Sequence, residues 1–155
     1  MDDLIKECPW GVSIAWVFLR IEQAQHRALY CGIVKLHRVD KELAEVALER
    51  RHMTREGFDE LFKVVFGVNL PAPVRDKIKR AEDVRDKVIH GKNVTNAAMR
   101  DSLVDAIDFA ERLNAELKKL AGVEPCGNIK GFNGRGQPHD KKTSRWILKG
   151  MGFKL

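Results

Sequence analysis

Residues 95–122 read TNAAMRDSLVDAIDFAERLNAELKKLAG, and this stretch decides the fold class. Met99, Leu103, Ala106, Ala110, Leu113, Leu117 and Leu120 recur at alternating steps of four and three without a slip. That spacing is a coiled-coil-like helical seam over three heptads. Thr95 is a suitable N-cap and Gly122 a suitable stop.

Working outward, the same punctuation recurs. Pro73 suits the first turn of a preceding helix, because the proline lacks an N–H that a first turn would leave unpaired anyway. Val74, Ile78, Ala81, Val84 and Val88 form its apolar stripe, Gly91 its stop, and Lys92-Asn93-Val94 the link to Thr95. Asn69-Leu70-Pro71-Ala72-Pro73 is a breaker. Before it, Thr54 caps a helix carrying Phe58, Leu61, Phe62, Val65 and Phe66, which Gly67 closes. Asp40 caps another, reaching Glu49 to Arg51 with Leu43, Val46 and Ala47 on its apolar side. Pro9-Trp10-Gly11 introduces a long first helix over about 12–36. No run reads as a strand. The expected fold is all-α, an up-and-down helical bundle of four to five helices over residues 1–122.

Beyond Glu124-Pro125 the pattern changes. Gly127-Asn128, Gly131, Asn133-Gly134 and Gly136-Gln137-Pro138 are closely packed turn signals. Asp140, Thr143 or Ser144 then starts a short final helix around Arg145–Lys149. Residues 123–155 are therefore expected as a short basic, Gly-rich C-terminal extension, part of the same domain or an appended arm.

The chain has 155 residues, 44% apolar and 32% charged, which fits one folded domain rather than a disordered segment. The acidic, polar start excludes a signal peptide, and the most apolar stretch, Val12 to Leu19, is far short of a membrane span. Cys8, Cys31 and Cys126 are scattered without a CxxC pair, so neither zinc nor a disulfide framework is expected and a reducing cytoplasm is the expected compartment. Phosphate-cradling glycine loops and HExxH are missing, so no cofactor and no metal are expected.

Charge is placed unevenly. Residues 1–125 balance, whereas 126–155 carry Lys130, Arg135, Lys141, Lys142, Arg145, Lys149 and Lys154 against Asp140 alone, so the whole formal net charge of +6 resides there. Such asymmetry calls for an anionic partner. The cations interleave with Trp146, an aromatic able to stack on a base, and this combination suits single-stranded RNA. Lys92, Lys130, Arg135, Lys141, Lys142, Arg145, Trp146 and Lys149 are the candidate nucleic-acid-binding residues. The competing reading docks Trp146, Ile147, Leu148, Met151 and Phe153 on the bundle and exposes only the lysines.

Arg85-Asp86-Lys87-Val88-Ile89-His90 is the chemical motif. RNA is cleaved without a metal when a base takes the 2′-OH proton and a cation steadies the phosphorane. Arginine stays charged and forks toward two phosphate oxygens, and histidine titrates near neutrality. A second pair, Arg20 and His26, lies within the first helix beside apolar Ile21, so spacing alone does not rank the two. Asp86 stands four residues before His90 and is expected to orient its imidazole.

In these residues the sequence resembles the HEPN superfamily of helical-bundle proteins, which includes many toxin and antiviral ribonucleases. The family motif is Arg, then Asn, Asp or His, a few variable positions and His, toward the end of the penultimate helix. Arg85, Asp86 and His90 match, as does the order of helices 73–91 and 95–121. The resemblance covers roughly residues 10–122. It implies a metal-independent endoribonuclease of toxin or antiviral-defence type with Arg85, Asp86 and His90 as catalytic residues. It further implies a composite homodimer site and an antitoxin or inhibitor protein as a possible partner. Lys92 stands where one subgroup carries a modified Tyr, so that mode of control does not transfer. Many members of the superfamily are inactive. The alternative is thus a non-catalytic helical module that binds RNA or DNA through its basic C-terminal residues, with Arg85 and His90 on a solvated helix face.

Overall fold

The computed structural model describes residues 9–51, 53–127 and 136–155, and they are all-α. Six helices occur among them: α1 (Trp10–Leu36), α2 (Lys41–Glu49), α3 (Arg55–Phe66), α4 (Ala72–Ile89), α5 (Asn96–Ala121) and α6 (Lys141–Gly150). None is long and apolar enough to cross a membrane.

The helix ends obey local chemistry. Asp40 accepts from the Leu43 N–H to open α2, and Thr54 accepts from the Gly57 N–H to open α3. The Thr95 hydroxyl accepts from the Ala98 N–H at 3.2 Å to open α5. Each satisfies a first-turn donor that the helix itself leaves unpaired. Of the three starts expected for the final helix, Asp140 is the one that opens α6, accepting from the Lys142 and Thr143 N–H groups.

The described residues form two compact units. One gathers those through Gln23 with Pro71–Leu113; the other combines Ala24–Leu70 with Asn114–Leu155.

In the first unit, Ile14, Phe18 and Ile21 of α1, Val74, Ile78 and Ala81 of α4, and Leu103, Ala106 and Phe109 of α5 are buried. The Ser102 hydroxyl donates to the Ala81 carbonyl at 3.1 Å, pinning α5 to α4 inside the core. Outside it, Lys77 reaches Asp105 at 3.0 Å and Asp108 at 3.2 Å, and Arg80 also pairs with Asp105. Burial pushes the Asp105 carboxyl up, but its bonds to Arg80 and Lys77 outweigh this and hold it below the usual range.

In the second unit, Phe58, Leu61, Phe62 and Val65 of α3 pack into a core with Ala28, Leu29 and Ile33 of α1 and Leu48 of α2. The Phe58 and Phe62 rings meet edge to face at 5.8 Å. His37 Nε2–H donates to the Val65 carbonyl at 2.7 Å, fastening the end of α1 to α3. α6 packs on α2 and is no detached arm. Ser144 and Leu148 are fully buried, and Phe153 is 4% exposed. The Phe153 N–H donates to Leu148 O and the Gly152 N–H to Lys149 O, a closure that requires the left-handed backbone of Gly152 (φ 87°).

The α5 seam departs from a strict heptad. Leu103, Ala106, Phe109, Leu113, Leu117 and Ala121 are its buried apolar residues, whereas Met99, Ala110 and Leu120 are half-buried. A straight helix turns through about 3.6 residues rather than 3.5, so a heptad stripe drifts by roughly 20° per repeat. By the end of the helix this drift has carried Leu120 off the core line and Ala121 is buried in its place, whereas the burial of Phe109 beside Ala110 runs in the opposite sense and is not explained by it.

Candidate functional site

Arg85 lies in the penultimate turn of α4 with its side chain 22% exposed. Its guanidinium sits 4.9 Å from the centre of the Phe18 ring, which is itself buried in α1. Nε and Nη2 each donate to Asp86 Oδ1 at 3.0 Å, and Nη1 donates to Glu22 Oε1 at 3.4 Å. Phe18 and Glu22 stand four residues apart on α1, so one helical face presents both the ring and the carboxylate. The cation thus has an apolar seat and two acidic partners, an arrangement that fixes its orientation and neutralises its charge.

Asp86 does not orient His90. Its Oδ1 is taken by the neighbouring guanidinium, because Arg85 is long enough to fold back along the helix. His90 is the C-cap residue, and its N–H donates to Asp86 O at 3.0 Å. Gly91, at φ 67°, turns the chain so that its N–H meets Val88 O and the Lys92 N–H meets Lys87 O at 2.8 Å. This closure satisfies carbonyls at the end of α4 and leaves the His90 ring exposed. Among the described residues no hydrogen bond or ion pair is made to that ring. Five residues of helical rotation separate Arg85 from His90, about 140° around the axis. The two side chains therefore leave α4 on different sides. Lys92 is exposed just beyond the Gly91 turn.

The other arginine–histidine pair is built differently. Arg20 donates to Gln23 Oε1 at 2.8 Å and lies 5.9 Å from the Trp16 ring, a local arrangement on the surface of α1.

Apart from Lys154, which is exposed, the basic C-terminal residues divide into three groups. Lys142, Arg145, Trp146 and Lys149 come together with Asp140 and Thr143 around an open groove of about 670 Å³ on α6. Trp146 is 79% exposed, so it does not dock on the bundle, whereas Leu148, Met151 and Phe153 do. Lys141 faces elsewhere and pairs with Glu42 at 3.1 Å, tying α6 to α2. Lys130 and Arg135 lie outside the described residues.

Other reactive groups offer little. Burial pushes the Cys31 thiol up to about 11, with Lys35 and Arg27 offsetting only part of the effect, so it is no nucleophile at neutral pH. Among the described residues no cluster of three His, Cys, Asp or Glu could hold a metal.

Sequence reasoning missed Phe18 and Glu22, which stand more than sixty residues before their partner. Their i, i+4 spacing on α1 is a helical-face signal, but nothing local says which helix that face meets. No family model matches the chain, and no curated protein or solved structure is detectably similar to it.

Proposed function

We propose that this protein is a metal-independent endoribonuclease of the HEPN kind that cleaves RNA at a composite homodimer site. In this reading α1–α5 correspond to the family's helical bundle, and α6 lies outside the resemblance, in this chain's own C-terminal extension. The observation that carries it is the end of α4: a seated, oriented Arg85 followed by an exposed His90 imidazole without a partner among the described residues.

The reaction balances with two copies of this pair. One neutral His90 accepts the proton of the ribose 2′-OH as the 2′-oxygen bonds to phosphorus. The bond to the 5′-oxygen breaks, and a protonated His90 from the second copy supplies that oxygen's proton. The products are a 2′,3′-cyclic phosphate and a 5′-hydroxyl. Arg85 counters charge on the non-bridging oxygens, for which the phosphate must displace Glu22 or Asp86. A single copy offers one imidazole, about 140° around α4 from its arginine, and so supplies half a site. The commonest oligomer symmetry, a two-fold axis, brings in the other half. A defence ribonuclease of this type would be restrained by an antitoxin or inhibitor protein.

The test is to incubate pure protein with single-stranded RNA in EDTA and compare wild type with Arg85→Ala and His90→Ala. The expected result is cleavage by wild type and a loss of about a hundredfold or more in each variant, with fold and dimer intact by circular dichroism and light scattering. Wild-type protein that binds RNA without cutting it overturns the proposal. That outcome favours a second reading, non-catalytic binding of RNA or DNA through the C-terminal residues. One observation supports this alternative: Lys142, Arg145 and Lys149 have no ion-pair partner among the described residues, whereas Lys141 does.

A further inference from the structure

We propose that the exposed face of α6 is a binding site for a single-stranded polynucleotide, with one base stacked on Trp146 and its flanking phosphates held by Lys142, Arg145 and Lys149. This rests on the reading that RNA is the partner, and it is independent of whether Arg85 and His90 cleave it.

The helix is two-faced. Ser144 and Leu148 are fully buried, and Lys142, Arg145, Trp146 and Lys149 occupy an arc of roughly 100° opposite them. An indole that is 79% exposed between three cations leaves a large flat π-surface in water. Its cost is relieved by a partner that is flat, polarisable and anionic at its edges, which describes a nucleotide. Lys142 and Lys149 are seven residues apart, about 10 Å along the axis, room for one stacked nucleotide and the phosphates on either side.

The backbone of α6 is not the anion site. Asp140 already accepts from the Lys142 and Thr143 N–H groups at 2.9 and 3.0 Å. Its second oxygen accepts from the Thr143 hydroxyl at 2.6 Å, so the one carboxylate in the groove is spent on capping the helix. Phosphate binding therefore falls to the three side chains, each of which lacks an acidic partner among the described residues. This differs from the Arg85 region, where two carboxylates already surround the cation. A membrane surface is the competing occupant of a face that mixes Trp with Lys. The apolar area argues against it, because Ile147 is half-buried and Leu148 is buried, leaving Trp146 without a neighbouring exposed aliphatic residue on α6.

The test uses full-length protein and short fluorescent oligonucleotides. These are 2′-O-methyl RNA, which cannot undergo 2′-OH attack, single-stranded DNA, and duplex RNA. Single strands are expected to bind more tightly than the duplex, because a paired base cannot stack on an indole. The RNA and DNA arms report whether the ribose contributes. Trp146→Ala should weaken single-strand binding about tenfold or more, and Trp146→Phe should keep most of it. The triple variant Lys142→Ala/Arg145→Ala/Lys149→Ala should flatten the dependence of log affinity on log salt by about 2. Trp146 is on the surface, so its loss leaves the fold intact for the comparison. If wild type binds single strands and both variants bind equally well, this site is wrong while the RNA reading stands. Failure of wild type to bind any of the oligonucleotides overturns both. Trp146-dependent binding to anionic vesicles with none to oligonucleotides assigns the face to a membrane and likewise overturns the proposal.

Discussion

Arg85 donates two hydrogen bonds of 3.0 Å, from Nε and Nη2, to a single oxygen of Asp86. That edge of the guanidinium is the one best shaped for a phosphate, so under the proposed function the carboxylate and an RNA phosphate would compete for it. Glu22, reaching Nη1 at 3.4 Å, adds a second negative charge. Glu22→Gln is therefore expected to tighten RNA binding by up to about fivefold at low salt while changing stability by about 1 kcal/mol or less, since the pair is partly exposed and screened. Oligonucleotide anisotropy at two salt concentrations, alongside a denaturant titration, measures both. An affinity that does not change would remove the competition argument and leave Glu22 as a structural strut.

Ser144 joins two helix starts in the second unit. Its hydroxyl accepts from the Asp40 N–H at 3.0 Å and donates to the His139 carbonyl at 3.2 Å, in a side chain with no solvent exposure. Ser144→Ala leaves both backbone groups short of a partner, an expected loss of about 1–3 kcal/mol in unfolding free energy. Ser144→Cys keeps the size but weakens the hydrogen bonding and should fall between. Wild-type stability in Ser144→Ala would mean water replaces the hydroxyl.

The helices and most of their caps were legible because their causes are local. Asp40, Thr54 and Thr95 each stand three residues before the N–H they receive, and Gly67 and Gly91 supply the left-handed turns their helices need. Which α5 residues are buried was only partly legible. A heptad template selects Ala110 and Leu120; the slow rotation of a straight helix accounts for Ala121, but the burial of Phe109 depends on what the helix packs against. At the candidate site, the positions of Arg85 and His90 at the end of α4 followed from Gly91. The environment of Arg85 did not, because Phe18 and Glu22 reach it from a distant segment. Asp86 illustrates a different limit. Helical spacing permitted contact with His90, but a long flexible neighbour with a stronger charge captured it first. On α6 the sequence left Trp146 open between packing and exposure. The choice turns on which face meets α2, and that is a tertiary fact.

Gly32 sits where α1 meets α3. A Cβ placed there would come 2.5 Å from Val65 Cγ1 and 2.6 Å from Phe66 Cζ. Ordinarily Gly→Ala inside a helix stabilises by roughly 0.5–1 kcal/mol. Here Val65 is buried and has little room to yield, so overpacking wins and Gly32→Ala is expected to destabilise by a net 1–3 kcal/mol or so. Thermal and denaturant unfolding give the number. A more stable variant would show that α3 can shift away at little cost.

Asp140 carries a pH dependence whose sign follows from its contacts. The Thr143 hydroxyl, then the Thr143 N–H, hold its carboxyl below the usual range, as expected of an ionised N-cap. A carboxyl depressed in the folded state contributes stability that is fully present above its unfolded value, about 3.9. That stability is lost as pH falls through the lower folded value. α6 and the groove built on it should therefore loosen first below about pH 4. Asp140→Asn keeps a capping oxygen without the charge, so its stability deficit relative to wild type should shrink toward zero as the pH is lowered from 6 to 2. Asp140→Ala loses the cap at every pH and should remain less stable throughout. Thermal melts of the three proteins across that range separate the cases. Parallel pH profiles for wild type and Asp140→Asn would place the acid sensitivity elsewhere, with Asp105 the next carboxylate to test, since it too is held below the usual range.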